Sequence, residues 1–85
     1  MADILVKVNL SETEHLQVGM RVYSEYTGEW YTATILPNFI KEGEEIYALI
    51  RVDGSGYCYK SRTLSELQEK VIKDPEMSVY FSSKK

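Results

Sequence analysis

Cysteine and histidine are nearly missing from this 85-residue sequence, which has one of each, Cys58 and His15. A single cysteine cannot close an internal disulfide, and one cysteine with one histidine falls short of the ligands of a structural zinc site. A histidine-based catalytic site would need His15, and no motif sets it beside a serine or Cys58. We therefore predict that the protein is not an enzyme and holds no metal or other cofactor.

Long apolar runs and an excess of basic charge are also missing. No stretch approaches the roughly 18 residues of a membrane span, and residues 1–5 lack the basic region and cleavage site of a secretory signal. The sequence thus favours an intracellular protein, cytoplasmic or nuclear, with no membrane partner. The net charge is −3, from 13 acidic and 10 basic residues, which counts against nucleic acid and suits a basic peptide or protein.

The remaining composition is that of an ordinary folded domain, with 44% hydrophobic and 27% charged residues. A chain of this length is expected to form one domain. Alternation of apolar and polar residues and an excess of aromatic and β-branched types predict strands, with glycine-containing turns at Gly28 and at residues 53–56. The predicted strands are residues 4–10, 21–26, 30–36, 46–52, 57–60 and 77–81, the fourth of them central because both its faces are largely apolar.

One helix is predicted near the C-terminus. Thr63 and Glu66 have the spacing of a capping box, and apolar residues follow at helical intervals until Asp74-Pro75 stops the run. We expect a helix from Leu64 to Lys73. Residues 11–18 have similar capping chemistry but too little length, and they are predicted as a short helical turn or a loop.

Aromatic residues are the informative feature, at 12% of the chain with seven tyrosines. Such rings can fill the core of a small sheet, or they can line a pocket at the end of a barrel. Tyr26, Trp30 and Tyr31 flank the tip of the first predicted hairpin. Rings there, beside a carboxylate such as Asp53, suit a cation and especially a methylated ammonium group.

Four short segments resemble Tudor domains. Residues 18–26 (Val-Gly-Met-Arg-Val-Tyr-Ser-Glu-Tyr) look like the opening strand, residues 30–35 like the second, residues 50–55 like the third with its Asp-Gly turn, and residues 63–67 like the helical turn after the fourth. The resemblance implies an SH3-like, strongly bent five-stranded barrel. It also implies binding of methylated lysine or arginine in an aromatic cage.

The resemblance assigns cage residues one by one. Tyr26 and Tyr31 match the first two aromatic members, and Asp53 matches the acidic or amide member. Arg51 and Ser55 stand where the family usually has aromatic residues, so two walls are missing unless a shift of register lets Tyr57 replace one. A cation beside Arg51 would be repelled, so the shape can occur here without a preference for methylated ligands.

The sequence therefore predicts a mostly β, β-rich α+β domain: a small SH3-like or Tudor-like bent antiparallel barrel with one C-terminal helix. An α+β sandwich, with the helix on one face of a meander sheet, is the alternative. The single domain divides into residues 1–17, a Tudor-like core at 18–67, residues 68–81, and a frayed tail at 82–85.

The predicted function is a non-catalytic module that binds a basic peptide or protein, methylated or plain, through an aromatic pocket. The predicted ligand-binding residues are Tyr26, Trp30, Tyr31, Asp53 and Tyr57. The alternative is a small acidic adaptor or inhibitor, such as a phage or bacterial protein, that blocks a larger protein or a nucleic-acid-binding surface.

Overall fold

The computed structural model describes residues 4–11, 13–37, 41 and 43–83. Within these residues, six strands and one helix follow the order β1–β5, α1, β6. Every strand pair is antiparallel. The prediction of a mostly β fold with one C-terminal helix is therefore confirmed. The elements are β1 (Ile4–Val8), β2 (Arg21–Ser24), β3 (Glu29–Pro37), β4 (Glu45–Arg51), β5 (Tyr57–Ser61), α1 (Leu64–Lys73) and β6 (Met77–Ser83).

The strands form one bent sheet in the order β1-β6-β2-β3-β4-β5. Strands β2 to β5 are a meander, and β6 returns after the helix to pair with β2. β1 then pairs with the free side of β6. Among the described strands, β1 and β5 are left as the two edges, so the sheet stays open at both ends.

Most differences from the predicted boundaries fall at element ends. β1 stops at Val8 instead of continuing to residue 10, and β2 stops at Ser24, two residues before Tyr26. The described part of residues 11–18 is a loop without a helix, in which the Ser11 hydroxyl accepts the backbone N–H of Glu14 at 3.2 Å. Ser82 and Ser83 belong to β6, so the expected frayed tail was wrong there, while residues 84–85 lie outside the described range.

Helix α1 has the predicted bounds. The Thr63 hydroxyl accepts the backbone N–H of Glu66 at 3.1 Å, which satisfies one of the unpaired donors at the helix start. Asp74 has extended backbone angles, as expected for a residue that precedes proline. The helix buries Leu67 and Val71 and packs against β4 and β5.

The core lies between the concave face of the sheet and α1. Val22, Tyr31 and Leu49 point inward from neighbouring strands, and Leu16 closes the core from the loop before β2. The Gln68 side chain accepts the backbone N–H of Leu16 at 2.7 Å, which ties this loop to the helix. In the described part of the chain, no helix is long and apolar enough to cross a membrane.

Candidate functional site

The predicted site residues are divided between the two faces of the sheet. Trp30 and Tyr31 are neighbours in β3, and successive side chains of a strand point to opposite faces. Tyr31 lies opposite Val22 on the core side, whereas Trp30 lies opposite Tyr23 on the outer side. The two rings therefore cannot line one pocket, and the predicted set does not converge on a single site.

Three of the predicted residues, Tyr26, Tyr31 and Tyr57, line one open pocket of about 530 Å³. We call it the tyrosine pocket. Its wall combines the end of β2 and the turn after it, residues of β3 and β4, the start of β5, the residues between α1 and β6, and the first residue of β6. The full lining is Ser24, Tyr26, Thr27, Tyr31, Arg51, Gly56, Tyr57, Cys58, Tyr59, Asp74, Glu76 and Met77.

The tyrosines differ greatly in exposure. Tyr26 lies in the turn after β2 and is 83% exposed, and Tyr57, the first residue of β5, is more than half exposed. Tyr31 is only 2% exposed and belongs to the hydrophobic core. Its hydroxyl lies 3.1 Å from the Thr27 hydroxyl, so Tyr31 forms the floor of the pocket and braces the hairpin tip.

Arg51 is opposite Tyr31 in the β3–β4 pairing, so its side chain is on the pocket side of the sheet. A hydrogen bond from the guanidinium to the Tyr31 side chain raises the pKa of Arg51. A second, long contact of 3.4 Å joins Nη1 to the Ser55 hydroxyl. A permanent positive charge therefore stands in the wall where the Tudor resemblance would place an aromatic residue.

Two carboxylates line the opposite part of the pocket wall, Asp74 and Glu76. Asp74 Oδ2 accepts the Tyr59 hydroxyl at 2.9 Å, and this bond raises the pKa of Tyr59. Asp74 Oδ1 accepts the backbone N–H of Glu76 at 2.9 Å. With Arg51 as the other charged group, the pocket wall carries one more negative than positive charge.

Sequence reasoning missed Tyr59, Asp74 and Glu76 as pocket residues. Asp74 was interpreted only as a stop signal for the helix, and its position near β5 depends on how α1 packs. No sequence pattern predicts how α1 packs against β5. Cys58 and Tyr59 are neighbours on β5, yet both line the pocket, and the pairing of β5 with β4 is irregular next to them.

Asp53 and Trp30 lie together on the other side of the sheet, in a shallow depression of about 470 Å³ that also includes Leu5 and Arg21. Asp53 Oδ1 accepts the backbone N–H of Ser55 at 2.8 Å, which holds the β4–β5 turn. Hydrogen bonds from Ser55 lower the pKa of Asp53. The expectation that Asp53 stands beside Tyr26 and Tyr31 is wrong because the turn after β4 carries it to the outer face.

The Trp30 ring is part of an aromatic row on that outer face. Its centroid is 5.1 Å from the Tyr23 ring and 5.3 Å from the Tyr80 ring, with tilts of 55° and 57°. Tilted neighbours at this distance pack edge against face and stabilise cross-strand pairs. Trp30 therefore contributes to the outer surface of β2, β3 and β6, and does not contribute to the tyrosine pocket.

The reactive groups in and near the pocket are few among the described residues. Burial raises the pKa of the Cys58 thiol to about 11, which keeps it in the protonated, weakly nucleophilic form at neutral pH. Among the described residues, no three histidine, cysteine or carboxylate side chains are grouped as metal ligands would be. The pocket offers rings, two carboxylates and one guanidinium to a ligand.

Comparison with known proteins gives no relative for this chain. No family model, no curated protein and no solved structure matches it. Its function is therefore inferred from the tyrosine pocket and the charges around it.

Proposed function

We propose that this protein is a non-catalytic binding module that accepts a basic side chain of a peptide or protein in the tyrosine pocket. One observation supports the proposal most. Two exposed rings, Tyr26 and Tyr57, line the same open pocket as the carboxylates of Asp74 and Glu76. Rings and carboxylates in one concave site suit a lysine or arginine side chain.

The energies are adequate for a weak, specific contact. A cation over an aromatic ring gains roughly 0.5–2 kcal/mol, and more when water is displaced. A carboxylate adds a charge-assisted hydrogen bond. Two rings and one carboxylate together correspond to a binding module that reads one basic side chain and relies on flanking residues for the rest of its affinity.

Arg51 limits what the pocket selects. Its guanidinium is held toward Tyr31 and Ser55, where a methylated ammonium would meet a like charge instead of a third ring. We therefore propose that the pocket binds plain lysine or arginine about as well as the methylated forms. The bent sheet supports a Tudor-like shape as part of this proposal, since β2 to β6 supply five successive antiparallel strands.

The direct test is a titration of the ¹⁵N-labelled protein with a lysine-rich peptide and with the same peptide after lysine-to-glutamine replacement. We expect chemical shifts to change at Tyr26, Tyr57 and Glu76 with the basic peptide only. Tyr57→Ala should weaken binding several-fold, as expected for the loss of one cation–ring contact. Ile72→Ala is the matched control, because Ile72 is exposed to a similar degree but lies on α1 away from the pocket.

Salt dependence provides a second measurement. Lys41 and Glu44 belong to the acidic loop before β4, together with Glu42, which lies outside the described residues, and Glu45 is the first residue of β4. Glu44 pairs with Lys41 at 3.2 Å. If the loop steers a basic partner, replacing Glu44 and Glu45 with lysine should slow association, and added salt should do the same, since exposed charges are screened over about 8–10 Å.

The adaptor or inhibitor function predicts a different outcome. Its contact surface would lie elsewhere, so a partner isolated from the host would shift residues outside the tyrosine pocket and would bind Tyr57→Ala normally. Shifts that avoid Tyr26, Tyr57 and Glu76 with every basic peptide would overturn the pocket proposal and leave that alternative.

A further inference from the structure

Strand β1 is an edge of the sheet whose side chains are exposed on both faces. It pairs with β6 on one side, and no described strand pairs with its other side. Ile4 and Val6, which point to the concave face, are 46% and 52% exposed, and Leu5 on the outer face is 41% exposed. An unpaired edge with apolar side chains is a template for another strand.

The concave face is only partly covered at this end of the sheet. Helix α1 packs on β4 and β5, at the far end of the strand order from β1. Val22 on β2 is fully buried, whereas Val6, on the same face two strands away, remains half exposed. Phe81, which pairs with Val6 across β1 and β6, is also exposed. These residues form an apolar patch that continues the core outward.

The other edge strand, β5, is protected in ways that β1 is not. A pairing irregularity interrupts its register with β4. Exposed Lys60 lies on it, with Nζ 5.4 Å from the centroid of the Tyr57 ring, and α1 packs against it. A bulge, a lysine and a covering helix are common means of blocking an edge. β1 has one lysine, Lys7, among four apolar residues.

We propose that β1 pairs antiparallel with β1 of a second copy of this chain, with the two-fold axis at Val6, so that two sheets become one. This register uses all five residues: Val6 lies opposite its counterpart, Leu5 opposite Lys7, and Ile4 opposite Val8. Each Lys7 then faces a leucine, whose side chain its methylene stem can cover.

Charge favours this register, and the exposed apolar side chains favour a second copy as the occupant. A two-fold axis at Lys7 would set two lysines directly opposite each other, which is unfavourable, and would also shorten the overlap. The register centred on Val6 avoids that pair and gives the longest overlap of β1 with itself. On the concave side it brings the two Val6 side chains together, beside the exposed Phe81 of each copy, so each copy supplies the apolar surface that the other lacks.

The interface is small. Stable complexes bury roughly 1,200–2,000 Å² in total, and one pair of five-residue strands with its flanking side chains falls below that range. We therefore expect a reversible dimer whose population rises with protein concentration.

Sedimentation equilibrium on the full chain tests the proposal up to about 1 mM, a concentration that detects dissociation constants in the millimolar range. We expect the apparent mass to rise from the 9.8 kDa monomer toward twice that value. Val6→Lys should weaken association at least about tenfold, because two charges would face each other across the axis. Ile35→Lys, at a 37% exposed position of β3 that is two strands further from the proposed interface than β6, should associate like the wild type.

Single cysteines test the register. Val6→Cys should form an intermolecular disulfide on mild oxidation, because directly opposed strand residues have a separation that suits the bond. Leu5→Cys alone should not, whereas a mixture of Leu5→Cys and Lys7→Cys should cross-link. Native Cys58 serves as the internal control at pH near 8, since its thiol has a pKa of about 11 and is half-buried.

Two kinds of result would overturn the proposed β1–β1 dimer. A wild-type protein that stays monomeric up to about 1 mM has no such dimer. A dimer that Val6→Lys leaves intact, or that cross-links through Leu5→Cys but not through Val6→Cys, uses another surface or another register. Near-identical thermal melts for Val6→Lys and the wild type would show that any loss of association does not come from unfolding.

Discussion

Truncation of two tyrosines that line the same pocket should have opposite consequences. Tyr31 is 2% exposed and packs in the core, while Tyr26 is 83% exposed in the turn after β2. Removing a buried aromatic ring costs about 3–5 kcal/mol, from lost burial and from the cavity left behind. Removing an exposed ring away from any special contact changes the free energy of unfolding by about 0.5 kcal/mol or less.

These values are large against the stability of the domain. At roughly 0.05–0.15 kcal/mol per residue, a domain of 85 residues has about 4–13 kcal/mol in total. A loss of 1 kcal/mol shifts the melting temperature of so small a domain by about 4–8 °C. Tyr31→Ala should therefore lower the melting temperature by about 12 °C or more, and Tyr26→Ala should change it by less than about 4 °C.

Tyr31→Phe separates the hydroxyl from the ring. It keeps the buried ring and removes the oxygen that contacts Thr27 and Arg51, so the cost should be near 1 kcal/mol. The assay is calorimetry of all three variants, with peptide affinity measured on those that remain folded. Equal melting temperatures for Tyr31→Ala and Tyr26→Ala would refute the assignment of Tyr31 to the core. A large loss of stability in Tyr26→Ala would return that ring to the core.

Three further predictions follow from single side chains. Leu67→Ala should cost about 2–5 kcal/mol in thermal melts, because Leu67 is fully buried between α1 and the sheet, and Ile72→Ala should cost little. Arg51→Phe should increase the preference for a methylated over a plain lysine peptide, since it replaces a like charge by a ring, and an unchanged affinity ratio would contradict this. Burial raises the pKa of Cys58 from the ordinary 9.0 to about 11, so the neutral thiol favours the folded state. That contribution is complete below about pH 9 and is lost as the pH rises through about 11. Urea titrations across that range should show a smaller loss of stability for Cys58→Ala than for the wild type.

The helix and the meander were predictable because their signals are local. Thr63 and Glu66 define the start of α1, and the proline after Asp74 ends it, so both bounds follow from neighbouring residues. Strand boundaries depend on pairing instead. Residues 9 and 10 continue the alternation of β1, but β1 pairs with β6 only as far as Val8, opposite Val79. No local sequence pattern marks Val8 as the residue at which this pairing ends.

The site was predictable only in part, because it depends on which face of a strand each residue occupies and on packing between residues that are distant in sequence. Trp30 and Tyr31 look equivalent beside a hairpin tip, yet one position along a strand sends them to opposite faces. Asp53 moves to the outer side because it leaves β4 in a turn held by Ser55. Asp74 and Tyr59 meet only after α1 folds back onto β5, over 15 positions of sequence separation.

The tyrosine pocket includes no residue of β1, so one chain can use the pocket and the β1 edge at once. Met77 is the pocket residue on β6, and it lies outside the segment of β6 that pairs with β1, which begins at Val79. A dimer joined through β1 would therefore leave both pockets open. A dimer with two pockets should bind a ligand with two basic segments more tightly than a monomer does. Once one segment is bound, the second is held at a high effective concentration near the other pocket, and neither pocket has to change. Val6→Lys should then weaken binding of a peptide with two well-spaced lysine clusters, while a peptide with one cluster should bind as before. Equal losses of affinity for both peptides would mean that the variant disturbs the pocket itself. No loss of affinity for either peptide would mean that association through β1 does not contribute to peptide binding.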